Sequence, residues 1–295
     1  MAEEIACVVD AHAVLGEGTI WDPDARVLWW IDIWGKLIHR YDPATGRDDT
    51  WPSPEFLGCI GLRAQGGLVV TMANGFHFFD PATGGFDPIV DPEADLPVTR
   101  FNDGKTDRQG RFWSGSMFEA PGQPVQFAGS LWRLDPDLSA HRTIAGIGCS
   151  NGLAWSPDGR TMYFSDSHST IIRAYDFDPA TADIANERVF ADVAATGGIV
   201  DGATVDAEGC YWATLPVTSK ICRYDPDGRL MRTVTLPTDL PTCCEFGGAD
   251  LDVLYVTTAV LNRPAEHFKD QHHPGGLFAV TGLGVKGLTL PPFTG

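Results

Sequence analysis

Positive charge is scarce in this chain: 21 Lys and Arg stand against 39 Asp and Glu, a formal net charge of −18. Such a surface repels phosphate backbones and anionic lipid, which excludes nucleic-acid and membrane-surface roles. Long apolar runs are also missing, since no window approaches the ~18 continuous apolar residues of a membrane span. The opening MAEEIACVVD carries two acids where a secretory leader carries basic residues. The seven cysteines are odd in number and form no CxxC pair, and the neighbours Cys243 and Cys244 would strain a bridge. A reduced, cytoplasmic chain is the expectation. HExxH, GxSxG, a strand-linked GxGxxG and the P-loop are all absent. Of the eight histidines, His39 and His77 lie in strand patterns. His272 and His273 sit in a polar loop, where metal binding and a solvated tip both stay open.

What remains is a chain with 43% hydrophobic and 20% charged residues, enough to bury a sizeable core. It is built on a repeat: an apolar strand, a turn with Gly or Pro-Asp, an aromatic-rich strand, then a third strand running into Asp-Pro. The copy GEGTIWDPDARVLWWIDIWGKLIHRYDPATG, residues 16–46, aligns residue for residue with SNGLAWSPDGRTMYFSDSHSTIIRAYDFDPATADI, residues 150–184. Copies starting at Asn102 and Asp201 align likewise, Trp113 falling on Trp212. Two weaker copies run from Gly58 and towards LYVTTA at 254–259. Short β-branched and aromatic strands bounded by DPATG, DPDG and SPDG turns suit hairpins and leave no room for long helices. Six antiparallel units of about forty residues predict an all-β, six-bladed β-propeller spanning residues 1–295 as a single domain. The spare alternating strand IACVVDAHAV, residues 5–14, is expected to complete the last blade.

One register of this repeat carries oxygen. Eight residues before Gly110, Gly159, Gly209 and Ala25 stand Asn102, Asn151, Asp201 and Glu17. Rotation about a propeller axis would bring these four to one point at the channel mouth. The second repeat offers Gly58 there and the sixth about Cys244, neither a hard ligand. Oxygen-only donors suit Ca²⁺, Mg²⁺ or Mn²⁺, with Zn²⁺ possible although it usually prefers nitrogen and sulfur. Arg100, two residues before Asn102, could grip ligand oxygens or form a surface salt bridge. Asp103 could hold Arg100 or a bound water, or serve a turn. The Pro- and Gly-rich stretch 118–129 is long enough for a lid, or a plain surface loop.

The motifs LGEGTIW (15–21), RFNDGK (100–105), SNGLAWSPDG (150–159), DGATVDAEG (201–209) and the ending GGLFAVTGLGVKGL (275–288) resemble the family of senescence marker protein (regucalcin) and the bacterial gluconolactonases. The resemblance covers essentially the whole chain. It implies a propeller with one divalent cation that hydrolyses a small-molecule sugar lactone such as gluconolactone, xylonolactone or arabinonolactone, as a monomer or weak homo-oligomer. By the same resemblance Glu17, Asn151 and Asp201 match the metal ligands, Asp201 the general base, and Arg100 and Asn102 the substrate contacts. Animal members place paired glutamates after Gly-Thr-Met, and here GSMFEA offers Glu119, one position earlier, as the substrate-contacting acid. A non-enzymatic calcium-binding propeller, a protein-interaction scaffold and a propeller esterase with a non-sugar substrate are the alternative readings.

Overall fold

The structure, a computed structural model, describes residues 3–261 and 263–295. Its strands are numbered β1 to β24 in chain order, beginning with β1 (Glu4–Val9). Blade one is β2 (Gly16–Asp22), β3 (Val27–Asp32), β4 (Leu37–Asp42) and β5 (Arg47–Pro52). Blade two is β6 (Leu57–Leu62), β7 (Leu68–Met72), β8 (Gly75–Asp80) and β9 (Gly85–Val90). Blade three is β10 (Thr99–Thr106), β11 (Phe112–Phe118), β12 (Gly129–Leu134) and β13 (Ala140–Ile147). Blade four is β14 (Ser150–Trp155), β15 (Thr161–Asp166), β16 (Ile171–Phe177) and β17 (Ile184–Asp192). Blade five is β18 (Ala203–Val205), β19 (Tyr211–Leu215), β20 (Lys220–Tyr224) and β21 (Leu230–Thr235). Blade six takes β22 (Pro241–Gly247), β23 (Val253–Thr258), β24 (Leu277–Thr281) and, from the other end of the chain, β1.

Each blade is an antiparallel sheet, and the first strands of successive blades touch in a closed series, with β22 meeting β2. This is the expected six-bladed β-propeller. The expected closing strand is β1, which pairs with β24 from Glu4 opposite Thr281 to Val9 opposite Leu277. Burial follows distance from the axis: β2 and β6 are buried almost throughout, whereas the outermost β5 is half exposed. Six hydrophobic clusters fill the six gaps between neighbouring blades. The core is therefore a ring of interfaces.

The repeated turns work by repeated contacts. In both DPATG copies the aspartate accepts from the alanine amide and the threonine hydroxyl: Asp42 from Ala44 N and Thr45 Oγ1 at 2.8 Å, Asp80 from Ala82 N at 2.9 Å and Thr83 Oγ1 at 3.0 Å. The closing Gly46 and Gly84 take φ of 71° and 72°, where a Cβ would be strained. Copies three and five share a deeper device. Asp107 accepts from Trp113 Nε1 (2.9 Å) and Arg111 Nε (2.6 Å); Asp206 accepts from Trp212 Nε1 (2.9 Å) and Arg223 Nε (2.8 Å). Both aspartates are fully buried, so these charge-assisted bonds replace their hydration.

Removing Asp206 leaves Trp212 Nε1 unpaired and Arg223 held only by the exposed Glu208 at 2.6 Å. Asp206→Ala is expected to lower the unfolding free energy by ~1–3 kcal/mol, read as a shift of the urea midpoint at unchanged slope.

Candidate functional site

A bulge sits just inside the start of the first strand in five blades. Pairing registers shift between Glu17 and Ile20, Leu57 and Ile60, Phe101 and Gly104, Asn151 and Ala154, and Pro241 and Cys244. A bulge bends its strand and re-aims the residue beside it. Gly18 and Gly152, immediately after Glu17 and Asn151, supply the positive φ this requires, 60° and 67°. The Asn-Gly step at 151–152, which on sequence grounds could be a simple turn, is thus the joint that directs Asn151.

The approach to two of these residues is fixed from behind. Asp32 accepts from the amides of Val14 and Leu15, each at 2.9 Å. Asp166, its counterpart in blade four, accepts from Gly148 (2.8 Å) and Cys149 (3.0 Å). Glu17 and Asn151 therefore enter their strands along tethered backbone.

Glu17, Arg100, Asn102, Asn151 and Asp201 all line one central cavity of about 290 Å³. That is near the lower limit of ligand pockets, ~300–1,000 Å³. Leu15, Met117, Ile199, Val217, Leu240 and Leu261 give it apolar walls. The sixth register position is Thr242, not Cys244. Thr242 lies inside the 241–244 bulge, as Gly58 and Asn102 lie inside theirs, whereas Cys244 stands beyond it and is buried between blades five and six. Glu119 does not line the cavity; its carboxylate is bonded to Arg100 Nε. The remainder of the loop runs outward, with Val125 and Phe127 exposed.

Hydrogen bonds fix which way the amides face. Ser167 Oγ donates to Val200 O at 2.7 Å, so towards Asn151 it is an acceptor, and Asn151 Nδ2 donates to it at 2.7 Å. Asn151 Oδ1 is thereby turned away from Ser167 and accepts from Asn102 Nδ2 at 3.2 Å, with a lone pair to spare. Asn102 Nδ2 also donates to Ser150 O at 3.0 Å, and its own oxygen accepts from Arg100 Nη1 at 3.0 Å. Asn102 is thus committed to Arg100 on one side and Asn151 on the other. Ser167, Thr242 and Cys149 belong to the site without any signal in the repeat register that would single them out.

The carboxylates are under electrostatic pressure. Glu17 and Asp201 lie close enough for each carboxylate to act on the other. Burial, together with the charges of Asp201 and Asp103, holds Glu17 well above the usual carboxylate range. Burial and the charge of Asp103 push Asp201 up to about 8. Burial also lifts Asp103 to about 6, against the pull of Lys105 and the amides of Leu153, Gly104 and Gly152. Lys105 itself is bound 2.8 Å from Glu245 deeper in the molecule, so it leaves the acids at the cavity only partly compensated. Two adjoining carboxylates and an amide oxygen, all hard donors in excess negative charge, fit a divalent cation of the Ca²⁺, Mg²⁺ or Mn²⁺ type.

The family described as SMP-30/Gluconolactonase/LRE-like region matches residues 15–260. Over 299 residues, all of this chain and all of the relative, the sequence is 37% identical to the 6-deoxy-6-sulfogluconolactonase of Pseudomonas putida. It is 36% identical to the regucalcin of Xenopus laevis, covering 99% of each chain. A crystal structure of a calcium-binding protein, regucalcin, from Agrobacterium tumefaciens superimposes with a TM-score of 0.91 at 28% identity, over 97% of this chain and 96% of that one.

Stability without metal should report the crowded acids. Their folded-state pKa values lie above the unfolded ones, so the folded chain holds more protons and loses stability as pH rises through that interval. In chelator, the Tm is expected to fall from the ordinary carboxylate range up to about pH 8, the range set by Asp201. Asp201→Asn should flatten that fall, and an added divalent cation should reverse it. Differential scanning calorimetry across pH, with and without cation, checks this.

Proposed function

Because the chain belongs to the SMP-30/gluconolactonase/LRE-like family, we propose that it hydrolyses a neutral sugar lactone to the aldonic acid with the aid of one divalent cation. Gluconolactone, xylonolactone and arabinonolactone are the substrates of choice. The observation that carries the proposal is that one cavity gathers the Glu17 and Asp201 carboxylates, Asn151 Oδ1 and, linked to that oxygen through Asn102, the Arg100 guanidinium. Neutral substrate is favoured because Arg100 is the one cation among the described lining residues, and Glu119 already engages it. A sulfonated tail would find no free positive charge.

Glu17, Asn151 and Asp201 would hold the cation, which supplies Lewis-acid polarisation of a carbonyl and charge to offset a developing oxyanion. The chain's own groups do the rest. Asp201 accepts the proton of the attacking water as its oxygen bonds to the lactone carbonyl carbon. The bond from that carbon to the ring oxygen then breaks, and the proton passes from Asp201 to the leaving ring oxygen. Water has been added across the ester bond, giving a hydroxy acid. Arg100 donates to the sugar's oxygens, held in aim by Glu119 on Nε and by Asn102 on Nη1. Glu119 is in this reading a positioning residue for Arg100. The apolar walls limit water at the reacting carbon.

Acid release from aldonolactones, followed with a pH indicator, tests the reading. The rate should exceed spontaneous opening, vanish in chelator and return with a divalent cation. Asp201→Ala should lower kcat/KM by roughly 10²–10⁴-fold, whereas Glu119→Gln should raise KM more than it lowers kcat. A rate no higher than spontaneous opening, or full activity after complete metal removal, overturns it.

A further inference from the structure

A second group of metal-binding side chains lies at the seam where the ring closes. Cys7 is in β1, the outermost strand of blade six; Asp10 follows the end of that strand; His273 is in the loop that leads into β24. Cys7 Sγ, a carboxylate oxygen of Asp10 and a ring nitrogen of His273 all lie within 4.8 Å of one another. His273 Nδ1 is 3.1 Å from Asp10 Oδ2, and His12 Nε2 approaches the other Asp10 oxygen at 3.7 Å. None of these residues lines the central cavity.

The backbone around them is shaped for the approach. Gly276 N donates to His273 O at 3.0 Å, closing a turn, and Ala13 N donates to Gly275 O at 2.8 Å, fastening the segment after Asp10 to that turn. A Cβ on Gly276 would come within 2.9 Å of Cys7 Sγ, and one on Gly275 within 2.8 Å of the backbone of His12 and Ala13. The glycine pair is what lets the turn carrying His273 sit against the thiol. Asp10 and His273 are half exposed, which leaves the group open to an ion from solvent.

We propose that Cys7, Asp10 and His273, with His12 in reach of a fourth position, form a second metal site for a cation of the Zn²⁺ type, which fastens the closing strand to blade six. The donor set is the argument. Thiolate and imidazole with one carboxylate select Zn²⁺ and its like, whereas Glu17, Asn151 and Asp201 in the central cavity offer oxygen alone. Tetrahedral Zn²⁺ with bonds of ~2.0–2.3 Å keeps its ligands about 3.3–3.8 Å apart, so small side-chain rotations suffice from the spacing present. Binding releases the Cys7 proton to solvent. The consequence is mechanical: β1 is paired on one side only, to β24, and the ion would add a cross-link between residues 7–12 and 273.

Co²⁺ serves as the probe, in the Asp201→Asn protein so that the central oxygen set is impaired. The expected result is a thiolate-to-cobalt charge-transfer absorption that Zn²⁺ displaces. Cys7→Ser should abolish that absorption, and His273→Ala, in an exposed loop, should weaken Zn²⁺ binding by at least roughly tenfold. The rise in Tm that Zn²⁺ produces should disappear in both. Absence of the absorption, or its survival in Cys7→Ser, overturns the proposal.

Discussion

The structure depends on closure of the ring. A four-stranded blade has two faces and cannot cover either by itself, so its apolar side chains are buried only against the blades on each side. Six such interfaces must form together, and the last, between blades six and one, joins the two ends of the chain. The pairing of β1 with β24 supplies the fourth strand of blade six and leaves that blade with the same layering as the rest. Closure also decides where side chains point. Only a complete ring makes the starts of β2, β10 and β14 and the stretch before β18 converge, and the central cavity exists because they do.

Much of this is written in the chain in a form that can be read. The six copies, their turns and the spare strand follow from alternation and from DPATG-type phrases, because these encode local contacts that recur unchanged, as between Asp42 and Asp80 or Asp107 and Asp206. Glu17, Asn102, Asn151 and Asp201 were legible for the same reason: they occupy one register. Thr242 was not: the sixth copy is degenerate, with Asp250 rather than a turn glycine eight residues on, and a count back from Tyr255 falls on Cys244. Ser167 and Cys149 escaped because they act through contacts between blades, Ser167 with Val200 before blade five and Cys149 with Asn102 and Met117 of blade three, which no repeat spacing reports. The Glu119–Arg100 bond lies between these extremes. Both residues stood out, yet that they answer each other depends on β10 lying beside β11, which brings Thr99 opposite Phe118.

The same register that gathers the acids also explains why they are uncomfortable. Convergence on the axis buries them, and burial is the first cause of the raised carboxyls at Glu17, Asp103 and Asp201. Lys105 and Glu245 satisfy one another, with Thr204 Oγ1 adding a 2.8 Å hydrogen bond to Glu245, and this buried pair stands apart from the cavity lining. The acids near the cavity have no such partner. Their strain is local, lies where β18 and β2 begin, and is the kind of unfavourable charge that active sites carry at the expense of stability.

Equivalent positions in a ring need not be used equally, and the inequality gives the cavity its direction. At Gly58 a side chain is forbidden: a Cβ would meet Thr71 Oγ1 at 2.6 Å and the Phe101 backbone at 2.9 Å. Thr242 is turned into the scaffold, bonded to Gly16 O and, at 3.0 Å, to Thr257 Oγ1. Blades two and six are thereby removed from the polar set. The two carboxylates remain on blades one and five, which flank blade six, and the two amides on blade three, opposite blade six, and blade four, opposite blade one. Arg100 extends the amide side. The cavity is therefore acidic where blades one and five meet it and carries the Arg100 guanidinium on blade three, a polarity that six identical blades could not produce. A ligand that presents an electrophilic carbon to the acids and hydroxyl oxygens to Arg100 fits that field in one orientation only. Apolar walls sharpen the choice, because they offer no competing hydrogen bonds to a ligand that enters turned around.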